Sequence, residues 1–291
     1  MDVKRKKSGF TIVELLTVLA IIAMLVGLLV PALNLVRNIA KETKQKAQLT
    51  TIGLALTTFR NDDGEYPRSD WHPQLSPDYC GTQKLAEALL GWDLLGFHPD
   101  SHWQADGKSR DDTHFFYDPA NPVDMDKRRG RYLELATTNA FKLGGPDGLF
   151  NNAGPLAPHT FVICDVFGVK KITIIQPGPA GKTDVFKAGT PILYYRANTS
   201  RKTIEIGRPE DRIYNCLDNQ ALISLKRLPD QIKDHRLGDS SGMFQFFYQE
   251  YIRDPKITAR PWPYRPDSYI LISAGADGEY GTNDDIRNFG N

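Results

Sequence analysis

Lys4-Arg5-Lys6-Lys7-Ser8-Gly9-Phe10-Thr11-Ile12-Val13-Glu14-Leu15-Leu16 opens into a run of 22 residues, Leu15 to Val36, without a charge. At 1.5 Å per residue a helix of that length covers roughly 30 Å, the thickness of a bilayer core. Basic residues ahead of the span predict a cytoplasmic amino end, with everything after Arg37 on the far side. A secretory signal peptide has a shorter apolar region that ends at a small-residue cleavage site. A plain signal anchor needs no acid. Neither accounts for Glu14, because a carboxylate near the start of an apolar span is costly without a partner and marks function by default. Pro31 removes one helical hydrogen bond inside the span and permits local melting or a kink, and Gly27 loosens the same region.

Downstream the chain turns polar but keeps a helical period from Arg37 to Phe59. Val36, Ile39, Ala40, Thr43 and Ala47 form one stripe of mostly small residues. Leu49, Ile52, Leu56 and Phe59 form a second on a different face, spaced 3, 4 and 3 apart. Asn61-Asp62-Asp63-Gly64 supplies the stop, with Gly64 as a left-handed cap and Pro67 preventing resumption. Residues 10–36 are therefore read as a membrane-spanning half-helix, 37–63 as its amphipathic continuation, and 64–291 as a globular domain. Within that domain Leu85, Ala86, Leu89 and Leu90 predict a short helix closed by Gly91. Short β-branched or aromatic runs predict strands at Thr160 to Cys164, Lys171 to Ile175, Ile192 to Arg196 and Ser268 to Ser273. The second and third are separated by a loop containing Gln176-Pro177-Gly178-Pro179. The expected fold class is α+β: a long amino-terminal helix packed on an antiparallel β-sheet, decorated by long loops.

Composition bounds the rest. Of 291 residues, 41% are hydrophobic and 24% charged, an ordinary globular balance. The formal net charge of +1 gives no support for a nucleic-acid partner, which would need a basic excess. Cys80, Cys164 and Cys216 allow at most one disulfide. A mean hydropathy of −0.40 excludes a polytopic membrane protein.

The carboxyl end carries a second motif, Ser273-Ala-Gly-Ala-Asp277-Gly-Glu-Tyr-Gly-Thr282-Asn283-Asp284-Asp285-Ile286. Carboxylates, a Ser, an Asn and flexible Gly residues follow a strand at close spacing. Hard cations such as Ca²⁺ take six to eight oxygen ligands and need a chain that can wrap. The spacing is not that of an EF-hand, and an Asp/Gly-rich solvated turn is the competing reading.

The amino-terminal segment resembles the type IV prepilin leader, the class III signal of pilins and secretion pseudopilins, through Lys-Ser-Gly9, Phe10 and Thr-Ile-Val-Glu14-Leu-Leu. The resemblance implies a leader, residues 1–9, cut by a prepilin peptidase after Gly9, with methylation of the new terminal Phe10. Glu14 then becomes the fifth mature residue, paired with the Phe10 amine of a neighbouring subunit. Pro31 falls where many pilins carry a helix-kinking Pro. The first stripe would pack on other subunits and the second on the subunit's own domain. Gly64-Glu65-Tyr66-Pro67 looks like the G-x-Y-P that follows the long helix in general secretion pseudopilins. The terminal motif looks like the calcium loop of the major pseudopilin of type II secretion systems, here within residues 271–286. By match, Ser273, Asp277 and Asp285 are the best ligands, with Asn283 or Asp284 adding a further oxygen and backbone carbonyls completing the shell. The pseudopilin globular domain is much smaller than residues 64–291, so 92–160 and 200–265 are expected to be insertions.

The resemblance implies a type IV pilin-like fold and a structural subunit of a type II secretion-like periplasmic filament. It would be a single-pass inner-membrane protein with its carboxyl-terminal domain in the periplasm. Its implied partners are copies of itself, other pseudopilins, the prepilin peptidase, an inner-membrane assembly platform and secreted cargo. Two alternatives stand beside it: a type IV pilus or minor pilin subunit, and a membrane-tethered binding or enzymatic domain using the enlarged middle region. Enzyme signatures are weak. His98 and His102 are interrupted by Pro99, Asp111-Asp112-Thr113-His114 reads as an exposed polar loop, and Gly144-Gly145-Pro146-Asp147-Gly148 reads as a turn with a second calcium loop as the alternative. Trp71, Trp92, Trp103 and Trp262 are read as core residues, with an aromatic platform for sugar or protein as the alternative.

Overall fold

The first helix obeys the sequence signal at its carboxyl end. In a computed structural model, which describes residues 11–71, 77–175, 183–205, 207–238 and 245–290, helix α1 runs from Ile12 to Asp63. Gly64 stops it in the left-handed region at φ 85°, with its amide donating to the Arg60 carbonyl at 2.8 Å. The chain divides into two units, Met1–Thr43 and Lys44–Asn291. In the first unit every large apolar side chain described, from Ile12 to Ile39, is exposed. Gly9 and Phe10 lie outside the described residues, as does the 176–179 loop. Pro31 sits inside α1.

In the second unit Leu49, Ile52, Leu56 and Phe59 are all buried, as their spacing predicts. They meet Leu85, Leu89, Phe97, Tyr194 and Leu271 in one apolar cluster. Burying side chains of this kind is worth roughly 1.5–3 kcal/mol each. Phe59 anchors the far end, with its ring 5.0 Å from Phe97 and 5.5 Å from Tyr132. One turn before Leu49, the same face carries a polar residue. Gln45 is buried, its Oε1 accepts from the Val166 amide at 2.9 Å, and Gln48 Nε2 donates to the Cys164 carbonyl at 3.0 Å. Two amides thus tie the helix to the end of a strand. Val36, Ile39, Ala40, Thr43 and Ala47 stay exposed.

Helix α2, Gly81–Leu90, is fully buried and ends at Gly91, where φ is 92° and an added Cβ would meet the Gly96 backbone. A short helix α3 spans Pro122–Lys127, and α4 spans Gln220–Ile223. The strands are β1 Ala140–Lys142, β2 Phe161–Ile163, β3 Lys170–Ile175, β4 Thr183–Ala188, β5 Leu193–Arg196, β6 Tyr269–Ser273 and β7 Ile286–Arg287. They do not form the single sheet expected. Among the described residues there are three small antiparallel sheets: β1-β2, β3-β4 and β5-β6-β7. Strand β6 is central and buried along its whole length, which explains its unbroken apolar run. The partner of β3 is β4, a strand that the sequence analysis did not place. Thr-Asp-Val-Phe-Lys-Ala reads poorly as a strand because nearly all of it is partly or fully exposed. Cys80, Cys164 and Cys216 are buried free thiols.

The start of α2 is fastened to β5 by a buried polar junction. Asn219 Oδ1 accepts from the Thr82 amide at 2.8 Å, and its Nδ2 donates to the Tyr194 carbonyl at 2.7 Å. Next to it the buried Asp218 accepts from Ser69 Oγ at 2.6 Å. Burial pushes the Asp218 carboxyl from an ordinary 3.8 up to about 7, although Ser69 and Lys84 pull the other way. The folded chain therefore holds a proton that the unfolded chain releases between about pH 4 and pH 7. This contribution to stability is fully present below the unfolded value and is lost as pH rises through the folded one. Melting in calcium-free buffer should fall from pH 5 to pH 8, and Asp218→Asn should make that fall shallower, by up to about 1.4 kcal/mol per pH unit. An unchanged pH slope in the variant would contradict this.

Candidate functional site

The amino-terminal motif begins with helix geometry. Thr11 is the residue before α1 and Glu14 its third residue. The Thr11 amide and Thr11 Oγ donate to Glu14 Oε2 at 2.8 and 2.7 Å, and the Glu14 amide donates back to Thr11 Oγ at 3.2 Å. This is a reciprocal capping box, Thr-x-x-Glu, which satisfies helix-end donors that would otherwise be bare. Both side-chain bonds fall on Oε2, so Oε1 has no partner among the described residues. Glu14 is thus held in place within one chain while presenting an oxygen outward. The signal for Thr11 was available in the sequence as the capping spacing. From Ile12 onward α1 is long and apolar enough to cross a membrane.

The carboxyl-terminal motif connects β6 to β7. It is a tight turn: Gly275, Gly278 and Gly281 all have positive φ, and a Cβ at Gly275 would strike the Asp284 backbone. Ser273 is buried at the end of β6, and its Oγ donates to Asp165 Oδ2 at 3.2 Å. Asp277 is exposed, and its Oδ1 accepts from the Glu279 amide at 2.8 Å. Asp284 Oδ2 accepts from the Asp277 amide at 3.0 Å, while its Oδ1 receives the Thr282 hydroxyl. Asn283 is exposed. Asp285 points inward: Oδ2 receives the Tyr251 hydroxyl and the Gly281 amide, the latter at 2.8 Å. Its Oδ1 is buried with no hydrogen-bond partner among the described residues.

The electrostatics of the loop are those of crowded carboxylates. Burial pushes Asp285 up to about 7, with Asp284 adding to the rise and Tyr251 opposing it. Asp165, buried beneath the loop, is likewise pushed up to about 7 by burial, against amide bonds from Phe167 and Thr190. Asp277 is raised by burial and by Asp284. Arg227 faces the turn, pairing with Glu279 at 2.6 Å and donating to the Asp277 carbonyl.

The donor chemistry suits a hard cation, since every predicted ligand offers oxygen. The arrangement closes the loop on itself instead of gathering those oxygens. Among the described residues no three His, Cys, Asp or Glu side chains form a metal cluster. Ser273 is turned to Asp165, Asp277 and Asp284 are engaged with loop amides, and Asp285 Oδ1 is the one buried oxygen left over. Sequence reading missed Asp165, Tyr251 and Arg227. Asp165 directly follows a predicted strand, where an isolated acid is a usable signal. Tyr251 and Arg227 come from the long middle region, and nothing in their spacing points to the loop.

Elsewhere the expected packing roles hold for three Trp residues. Trp92 stacks on Tyr117, Trp103 packs on Phe97, and Trp262 lies beneath Arg260. His98 is buried beside Asp124, which also receives His114 at 3.1 Å.

A family model described as a prokaryotic N-terminal methylation motif matches residues 4–30. The type II secretion system core protein G of Pseudomonas aeruginosa is 29% identical over 147 residues, 50% of this chain and 87% of that protein. The protein of the same name from Aeromonas hydrophila is 38% identical over 69 residues, 23% of this chain and 47% of that protein. No solved structure matches the chain. Both relatives are named as secretion-system core proteins, not as enzymes. The motif and these relatives support a pseudopilin-like protein. The Pseudomonas aeruginosa protein is the much shorter chain, aligning over most of its own length but half of this one.

The bond from Tyr251 is one of the ties between the long middle region and the terminal loop. Tyr251→Phe strips one donor from a buried carboxylate that already has a bare oxygen. Denaturant unfolding should show a loss of about 1–3 kcal/mol. Stability equal to that of the parent chain would mean that this tie is not made.

Proposed function

We propose that this pseudopilin-like protein is a filament subunit of a type II secretion-like machine, inserted in the inner membrane with its amino end cytoplasmic and its large domain periplasmic. The observation that carries this reading is the capped and exposed first half of α1, charge-free from Leu15 to Val36, behind a basic leader. Lipid covers that surface before assembly, and helices of neighbouring copies cover it afterwards. The exposed stripe from Val36 to Ala47 continues the packing surface beyond the membrane. A prepilin peptidase cuts between Gly9 and Phe10, an assembly platform extracts the subunit, and secreted cargo is displaced by the growing filament. The output is mechanical.

Glu14 is the assembly group. Its capping bonds hold the carboxylate at the helix entrance, and the free Oε1 pairs with the new amine of Phe10 on a neighbour. Glu14→Ala makes the span more apolar, so membrane insertion should persist while filament yield falls by an order of magnitude or more. Glu14→Gln should keep the cap and still fail to pair as an ion. Normal filament yield from both variants, against matched processing, would remove Glu14 from the assembly step.

Cleavage also has a charge signature. The leader holds four of the 36 basic residues and one of the 35 acidic ones, so its loss changes the formal net charge from +1 to −2. Intact-mass measurement after co-expression with a prepilin peptidase should find Phe10 as the first residue, carrying one methyl group. An intact Met1 terminus on assembled protein would contradict the processing step.

Calcium belongs to the same reading. Asp285, with its bare buried oxygen, Asp277, Ser273 and either Asn283 or Asp284 would hold one Ca²⁺ and offset the repulsion among the loop carboxylates. Binding to the folded form alone adds about 2.7 kcal/mol at 100 times Kd. The full chain in detergent should melt lower in chelator, Mg²⁺ should substitute poorly, and Asp277→Ala or Asp285→Ala should abolish the difference. A melting temperature indifferent to Ca²⁺ and chelator would leave the segment a self-closed acidic turn.

A further inference from the structure

We propose that a trough centred on Trp71 binds a linear, uncharged oligosaccharide, with the indole as its stacking platform. Trp71 and Leu217 each line two cavities, of about 730 and 520 Å³, which therefore adjoin along this wall. The platform is anchored from below. The Trp71 amide donates to Asp218 Oδ1 at 3.3 Å, and the buried Asp218 is itself fixed by Ser69 Oγ at 2.6 Å. All four Trp residues are half-buried, but the Trp92, Trp103 and Trp262 rings are occupied by aromatic or arginine neighbours, whereas the Trp71 ring has no aromatic or cationic neighbour among the described residues.

The trough has the polarity of a hydroxyl-binding surface. Its walls supply planar amides, among them Asn198 and Asn215 in the larger cavity and Asn152, Gln220 and Gln231 in the smaller. Most of its charged side chains have protein partners. Arg196 pairs with Glu65 at 2.5 Å, Glu210 pairs with Arg208 at 3.2 Å, and Arg212 lies 4.2 Å over the Tyr248 ring while donating to two loop carbonyls. No strong field of one sign selects an ionic ligand. Among the described residues three buried polar atoms on the trough-lining side chains lack partners: the donors Trp71 Nε1 and Arg212 Nε, and the acceptor Gln220 Oε1. Buried polar groups are rarely left bare, and a sugar hydroxyl, donor and acceptor at once, complements both kinds. An aromatic face beside fixed polar groups is the general form of a small-ligand site.

A peptide fits this surface less well. Extended peptides bind by adding to a free strand edge. The β5 edge that faces the trough is already used: the Arg196 amide donates to Ser69 Oγ at 2.9 Å, and the Tyr194 carbonyl receives Asn219 Nδ2 at 2.7 Å.

The test is calorimetric titration of the full chain, in a detergent without a sugar headgroup, with chitohexaose, cellohexaose and maltohexaose. An unstructured Gly/Ser/Ala dodecapeptide is the control. Saturable binding of at least one hexasaccharide is expected. Preference for chitohexaose marks an acetamido glycan as the source, and preference for the others marks a glucan. Trp71→Ala should weaken binding by about tenfold with an unchanged melting temperature, while Trp71→Phe, which keeps a ring, should stay within about threefold. Binding should also shift tryptophan emission in the parent chain and leave it unmoved in Trp71→Phe, a comparison that holds even where the alanine variant folds poorly. Absence of hexasaccharide binding at millimolar concentration, equal affinity in Trp71→Ala, or equal binding of the peptide would overturn the proposal.

Discussion

The structure depends on one imbalance. From Ile12 to Val36 the first helix shows its large apolar side chains to the outside, whereas the same helix from Gln45 to Phe59 buries one face in a packed core. Water penalises the first surface heavily, so its environment is lipid or another apolar helix. The polar stretch after Arg37 marks where that environment ends. The features at either end of α1 follow from this: a capping box that keeps Glu14 ordered at the entrance, and a left-handed Gly64 that stops the helix once the core has been served.

The globular unit answers a different demand, that of holding a long, turn-rich chain on a small amount of regular structure. Its three sheets are short, and much of the fastening comes from buried polar side chains. Gln45 and Gln48 hold the 164–166 backbone, Asn219 bridges α2 and β5, and Asp285 receives Tyr251. Asp165, Asp218 and Asp285 are all pushed up to about 7 by burial. Two of the three lie at the terminal loop. That is where a cation would relieve the most electrostatic strain, and where the middle region reaches back to touch the motif.

The sequence was most legible where periodicity and end signals agree. Leu49, Ile52, Leu56 and Phe59 could be assigned to the core from spacing alone, and Gly64 and Gly91 mark real helix ends. Four strands were placed within a residue or two, because β2, β3, β5 and β6 are rich in β-branched or aromatic residues. Strand β4 escaped because its half-buried Asp and exposed Phe and Lys break the pattern, and the separation into three sheets depends on pairings that no local run encodes. At the terminal loop the Asp and Gly residues were visible, while their partners were not: Tyr251 and Arg227 are 34 and 50 residues distant from Asp285 and Asp277. Thr11 was legible as the first member of Thr-x-x-Glu. Its role became plain only once both bonds to Glu14 Oε2 were seen.

The central claim is that the exposed face of α1 is a surface between copies of the chain. In-cell oxidative crosslinking of a protein carrying both Ala40→Cys and Ala47→Cys, two exposed positions on the small-residue stripe, tests it most directly. The native thiols at Cys80, Cys164 and Cys216 are buried and serve as a silent background. The account predicts a ladder of crosslinked multimers that appears only when the prepilin peptidase and assembly machinery are present. A protein that remains monomeric under those conditions, or a ladder that is the same without them, would contradict it.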